Sequence, residues 1–144
     1  MNDRFKFRAW NKETKTMHQV EGIYAYQDEH TEGGEVFLES FSNPSYYFPE
    51  EVVIMQSTGL KDKNGKLIYE GDIVKFGEFY NNEWNSFNIG KVYWGGKFDY
   101  PAFELQCSTA DFDMSNGLSY IFGNGLSIEV IGNIYENKEL LNEN

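Results

Sequence analysis

An all-β fold with minor helical content is the class that this 144-residue chain predicts, and three observations carry the prediction. Lys63-Asn64-Gly65-Lys66 lies between two runs that can pair, and Asn-Gly at its centre suits a type I′ hairpin turn, where both central residues need positive φ. Leu67 and Tyr69 share one strand face, yet beyond Gly71 the apolar positions Val74 and Phe76 have the opposite parity, so Gly71 marks a bulge or sharp bend. Aromatic residues make up 17% of the chain, and they favour strands and supply large buried surfaces to a small β core. Strand, turn, strand, glycine bend and strand within Met55 to Phe76 is how a strongly curved small barrel is built. The expectation is one domain over residues 1–144, with an SH3-like barrel core at roughly 55–135 and additional N-terminal β structure.

The elements follow in order. Phe5, Phe7 and Ala9 alternate with Lys6, Arg8 and Trp10, the period-two pattern of a half-buried strand. Asn11 to Thr16 is turn-like, and Met17 to Tyr26 holds a second strand that can form a hairpin with the first. Gln27 to Glu35, acidic and containing Gly33-Gly34, predicts an exposed loop before a strand at Val36 to Phe41. Pro49-Glu50-Glu51 starts one helical turn, because proline at the first position and acids near a helix N-terminus are both favourable. Val52 to Gln56 then leads into the central hairpin.

After that hairpin, Gly77 to Ser86 is polar and aromatic, and Asn81-Asn82 predicts a loop there. Ile89 to Trp94 is a strand, Gly95-Gly96 a tight turn, and Phe98 to Gln106 the returning partner with Pro101 at an edge. Leu118 to Phe122 and Ser127 to Tyr135 predict a further strand pair across Gly123-Asn124-Gly125, and Glu136 to Leu141 closes as a short helix.

Composition narrows the function classes. The single cysteine, Cys107, forms no internal disulfide, no N-terminal segment resembles a signal peptide, and no run approaches the ~20 apolar residues of a membrane span. A cytoplasmic protein is therefore expected. Net charge is −11, with eight acids and no Lys or Arg from Glu21 to Leu60, and such a surface disfavours general nucleic-acid binding. Arg4, Lys6, Arg8, Lys12 and Lys15 cluster at the N-terminus and Lys61, Lys63 and Lys66 on the hairpin, where solvated strand faces and turn tips are the ordinary explanation.

Candidate chemistry is sparse. Asp62-Lys63-Asn64-Gly65 invites comparison with a calcium loop, but with Gly65 at the sixth position Leu60 falls on the first ligand position and Gly71 on the twelfth. Asp111 and Asp113 place two carboxylates one residue apart, which alone makes no metal site. His18 and His30 are the only histidines, and neither they nor Cys107 stand in a nucleophile-elbow, Cys-x-x-Cys, phosphate-loop or His-Glu-x-x-His motif. No catalytic residue, metal or cofactor is expected, and the chain is expected not to be an enzyme.

The blocks Phe5 to Thr14, Gln56 to Gly65, Ile68 to Val74 and Val130 to Asn137, in this order and spacing, resemble the YopX family of phage and prophage proteins. Gly59, Asp62, Asn64, Gly65, Tyr69, Gly71 and Asp72 are the structural motif of the central blocks. The resemblance implies a phage-encoded or prophage-encoded cytoplasmic protein of the bacterial host cell, small-barrel in topology, and it transfers no catalytic residue. Gln27 to Ser45 and Phe79 to Phe87, lying between blocks, are where members are expected to differ.

The functional expectation is a non-enzymatic accessory module that binds an unknown protein partner or associates with itself. Tyr93, Trp94 and Tyr100, around Gly95-Gly96, are the candidate contact patch, since aromatic residues are enriched at interfaces; core packing is their competing role. Two alternatives stand beside it: a nucleic-acid-associated barrel using Arg4, Lys6, Arg8, Lys61, Lys63 and Lys66 on one surface, or an acidic mimic of DNA. A metal-dependent enzyme using Asp111, Asp113 or Cys107 comes last.

Overall fold

The computed structural model describes residues 5–27, 32–38, 45–95, 102–107, 113–114 and 117–141. It is mostly β, with two antiparallel sheets and one α-helix among the described residues, and no pairing there closes either sheet into a barrel. Two compact units divide the chain, Met1–Ser57 and Thr58–Asn144.

The first unit contains β1 (Phe7–Asn11), β2 (Thr16–Gln27), β3 (Glu32–Leu38), β4 (Ser45–Tyr47) and the start of β5 (Val52–Lys61). Their order in the sheet is β4-β3-β2-β1-β5, so the chain meanders through hairpins and then returns to lay β5 against β1. Ala9 and Val52 are the buried centre, with Val20, Tyr47 and Ile54 packed against them. The acidic loop expected at Gln27 to Glu35 is shorter than composition implied: β2 and β3 pair as far as Gln27 opposite Glu32, and Gly33-Gly34 lies inside β3. Backbone pairing overrides the weak strand propensity of glycine there. Pro49–Glu51 is a single 3-10 turn, closed by the Glu51 carboxylate accepting the Phe48 N–H at 2.8 Å.

In the second unit the end of β5 forms a hairpin with β6 (Leu67–Tyr69), and the five-stranded sheet runs β10-β9-β8-β7-β11. Its strands are β7 (Asp72–Tyr80), β8 (Glu83–Trp94), β9 (Phe103–Cys107), β10 (Asp113–Met114) and β11 (Ser127–Asn133). Val74 and Phe76 on β7, Val92 on β8, Leu105 and Cys107 on β9 and Ile128 on β11 project to one face, where Ile68, Leu118 and Ile121 complete the core. The bend at Gly71 is present, with φ 87°; Ile68, fully buried, joins this cluster, while Tyr69 is buried outside it and Leu67 is half-buried.

Three local expectations fail, each for a definable reason. Asn64 is not among the positive-φ residues and Gly65 is, at 83°, while Gly65 N–H bonds the Asp62 carbonyl and Asp62 N–H bonds the Lys66 carbonyl. That is a three-residue loop of a turn followed by a left-handed glycine, not a type I′ turn. The type I′ geometry occurs instead at Asn81-Asn82, φ 54° and 63°, which joins β7 to β8 between the paired Tyr80 and Glu83. The loop expected over Gly77 to Ser86 is thus the far end of a long hairpin. Finally, Leu118 to Phe122 is helical: α1 (Gly117–Gly123) buries Leu118 and Ile121, spaced by three on one helix face.

Gly123-Asn124-Gly125 is the end of that helix. Leu126 N–H reaches the Ile121 carbonyl at 3.0 Å and Gly125 has φ 69°, which is the Schellman arrangement, and Leu126 then packs on the core. Lys138–Leu141 forms a 3-10 turn where a short helix was expected. Gly95 has φ 60°, yet β8 and β9 pair from Trp94 opposite Phe103, so their connection spans 95–102 and is longer than a tight Gly-Gly turn. Phe41 and Phe98 lie outside the described residues.

Candidate functional site: the outer face of the β7–β8 hairpin

Short polar side chains hold the strand ends in register. Asn11 Oδ1 accepts from the N–H groups of Glu13 and Thr14, shaping the loop between β1 and β2. Asp62 Oδ1 accepts from Asn64 and Lys66 N–H, and Oδ2 from Val130 N–H on β11 at 2.9 Å. Lys63 N–H adds a bond to the Ile128 carbonyl, so the hairpin tip covers the outer edge of β11. Asp72 Oδ2 accepts the Tyr69 N–H at 2.8 Å, tying the turn around Gly71. Asn133 Oδ1 accepts from Tyr135 and Glu136, while Asn137 Oδ1 reaches back to Asn133 N–H. Asn11, Asp62 Oδ1 and Asn133 make Asx-type turns with N–H groups two to four residues ahead, while Asp72 and Asn137 accept from N–H groups three and four residues behind; in each a carboxylate or amide replaces a missing backbone acceptor. The Asp62 carboxylate is thus occupied by backbone N–H groups, as befits a turn and not a calcium loop.

The surface those turns support is the side of β7 and β8 opposite the core. Strand alternation sends Lys75, Gly77 and Phe79 outward on β7, and the register places Ile89, Phe87 and Trp84 beside them on β8. The register shift between Glu78 and Phe79 brings Trp84 directly opposite Phe79. Phe79 and Trp84 meet edge to face at 5.2 Å between centroids, and Trp84 and Phe87 at 6.3 Å. Lys63 Nζ stands 4.0 Å from the Phe79 centroid, and Lys75 Nζ stands 3.9 Å from that of Phe87 and 5.4 Å from that of Trp84. Each such cation–π contact is worth about 0.5–1 kcal/mol at an exposed site. Phe87 remains 46% exposed.

Glycine makes this face continuous. At Gly77, φ is 151° and a Cβ would run into the Ser86 carbonyl, so the two strands approach where a side chain would hold them apart. Among charges, Glu129 faces Lys75 across β11, whereas Glu78 and Glu83 adjoin outward residues in sequence and fall on the opposite side of the hairpin. The result is an aromatic strip with two ammonium groups and one carboxylate on a strongly acidic protein.

The residues singled out by sequence are distributed differently. Tyr93 and Trp94 are successive in β8 and project to opposite faces; Trp94, half exposed, packs edge to face on Phe103 at 4.7 Å. Tyr100 lies outside the described residues, as do Arg4, His30 and Asp111. Arg8 is buried within β1 and does not join Lys6 on an exposed surface. Cys107 is buried in the core cluster, and Asp113 falls in the two-residue β10. The strip escaped sequence reasoning because its residues straddle Asn81-Asn82. The signal was there in the alternation Lys75-x-Gly77-x-Phe79 before a two-residue Asn turn, but the register shift at Asn85 breaks the matching alternation on β8.

Fold and site together define a mostly β protein of two antiparallel sheets, its turns fixed by Asx side chains and one hairpin presenting aromatic and lysine side chains outward. The chain belongs to the YopX family, whose model, described as YopX protein, matches residues 6–142. It is similar to a crystal structure of protein EF1440 from Enterococcus faecalis, at 28% identity and a TM-score of 0.56, over 94% of this chain and 96% of that one. It also shares its fold with protein yopX from Bacillus subtilis, at 22% identity and a TM-score of 0.58, over 97% and 98% of the two chains. Among curated proteins, none matches the chain.

Proposed function

We propose that this chain is a non-enzymatic accessory module of a phage or prophage, acting in the bacterial cytoplasm by gripping a protein partner through the outer face of β7 and β8. The single observation that carries the reading is the strip Phe79, Trp84 and Phe87 with Lys63 and Lys75 over its rings. Aromatic side chains offer large contact area for little conformational entropy and dominate interface energetics. The same reading takes the core of the second unit as SH3-like. The bend at Gly71, the Gly71 carbonyl accepting Ile134 N–H, and the Asp62 and Lys63 bonds to β11 support that curvature.

The test is affinity purification of the tagged chain from phage-infected or prophage-induced cells, followed by binding with the purified partner. Trp84→Ala and Phe87→Ala each weaken that binding by about tenfold or more while leaving the melting temperature within a few degrees, as expected of interface hot spots. A partner that binds both variants as tightly as the parent chain excludes this face.

A further inference from the structure

We infer that the first unit holds a docking site of its own, the groove where β2 parts from β1, and that its occupant is an extended cationic segment of a partner protein, which adds a strand to the open edge of β2. The groove has a cause in the pairing. In the sheet, β2 stands between β3 and β1. β1 accompanies it only from Thr16 to Gln19, and β3 pairs with it from Val20 to Gln27. Past Arg8, β1 stays with β5, where Phe7 faces Gln56 and the Lys6 carbonyl accepts the Ser57 N–H at 2.9 Å. The register shift between Val20 and Gly22 inserts one extra residue, Glu21, and bends β2 at the same point. The strands therefore diverge. Between them lies a groove of about 760 Å³, with Phe5, Lys6 and Phe7 on one wall and residues 19–23 on the other.

The walls select the occupant. From Val20 to Ile23, β3 takes one edge of β2 and no strand among the described residues takes the other, so backbone N–H and C=O groups of that edge border the groove. A row of such groups is a template for a further strand. Phe5 and Ile23, on opposite walls, are 56% and 47% exposed, while Phe7 and Val20 are half-buried. An extended segment meets both demands, because it pairs through its backbone and offers an apolar side chain at every second residue. Charge sets the rest. Glu21 is exposed on the β2 wall, and its carboxylate has no partner among the described residues. Lys6 stands on the opposite wall, so a cation of the occupant sits toward β2. Phosphate there would meet Glu21 on a chain of net charge −11.

Titration of the purified full chain with an acetylated and amidated peptide that alternates valine and lysine, followed by backbone amide NMR shifts, tests this. The shifts saturate and include Val20 to Ile23. Two further probes carry methyl groups on the valine nitrogens or on the lysine nitrogens. One of them binds about tenfold or more weakly than the other, because an added strand pairs through one edge only and methylation keeps charge and side chains unchanged. Glu21→Lys and Ile23→Lys, both at exposed positions, each weaken binding of the unmethylated probe by about tenfold or more with unchanged far-ultraviolet spectra. Trp84→Ala binds it as the parent chain does, which separates this groove from the β7–β8 strip.

Absence of shifts in Val20 to Ile23, equal binding of the two methylated probes, or undiminished binding by Glu21→Lys overturns the inference. A parent chain that dimerises in sedimentation equilibrium and becomes monomeric in Ile23→Lys places a second copy in the groove, and overturns it too. None of these results bears on the strip of Phe79, Trp84 and Phe87, which lies in the other unit.

Discussion

The Asp62 carboxylate and the Val130 N–H, 68 residues apart in the chain, are joined by a 2.9 Å hydrogen bond that fastens the β5–β6 hairpin to the edge of β11. The same carboxylate holds its own turn through Asn64 and Lys66. Asp62→Ala should therefore lower stability by about 1.5–3 kcal/mol, the range for hydrogen bonds to a charged group. Asp62→Asn keeps an acceptor for the turn but sets an amide donor against Val130 N–H, so it should lose part of that amount. Urea unfolding midpoints of the three proteins check the order.

Glycine positions separate conformational strain from lack of space. Gly65 has φ 83° and open surroundings, so Gly65→Ala costs only the left-handed backbone, about 1–2 kcal/mol. Gly77 adds a collision with the Ser86 backbone, which cannot move without parting β7 from β8. Gly77→Ala should cost about 3 kcal/mol or more and also perturb Trp84 fluorescence. Equal losses at the two sites would contradict the close strand approach.

The Asn81-Asn82 turn has room for improvement. Both residues occupy positive φ, and the second position of a type I′ turn prefers glycine. Asn82→Gly should stabilise by about 0.5 kcal/mol and Asn82→Ala destabilise by about 1 kcal/mol. Thermal unfolding of the two variants should move in opposite directions.

Helix α1 is held by two core side chains and by its glycine end. Ile121 is fully buried, and Ile121→Ala should cost about 2–5 kcal/mol by leaving a cavity against the sheet. Cys107 in the same cluster provides the readout: its thiol should react slowly with a soluble disulfide reagent in the parent chain and markedly faster in the variant. Unchanged thiol reactivity would place Cys107 outside the unit that α1 protects.

Pattern on a single strand was legible; relationships between strands were not. Alternation found β1, β2 and the pairing half of β5, and the bend at Gly71 followed from the glycine itself. Leu118 to Phe122 looked like a strand because five residues of mixed aromatic and apolar character fit either period, and the helix is decided by Leu118 and Ile121 meeting the sheet. Asn64-Gly65 has the composition of a type I′ turn, but Asp62 captures the N–H groups of Asn64 and Lys66 and draws the loop into another form. Tyr93 and Trp94 looked like one patch in sequence and cannot share a face in an extended strand. The aromatic strip depended on a register shift that no local pattern announces.

Asn11, Asp62, Asp72 and Asn133 accept backbone N–H groups at the turns, and none of those bonds involves the outward side chains of Lys75, Phe79, Trp84 or Phe87. Instructions for folding and instructions for contact are thereby written in different letters of the same text. Such a division lets the surface be revised one substitution at a time while the molecule remains foldable.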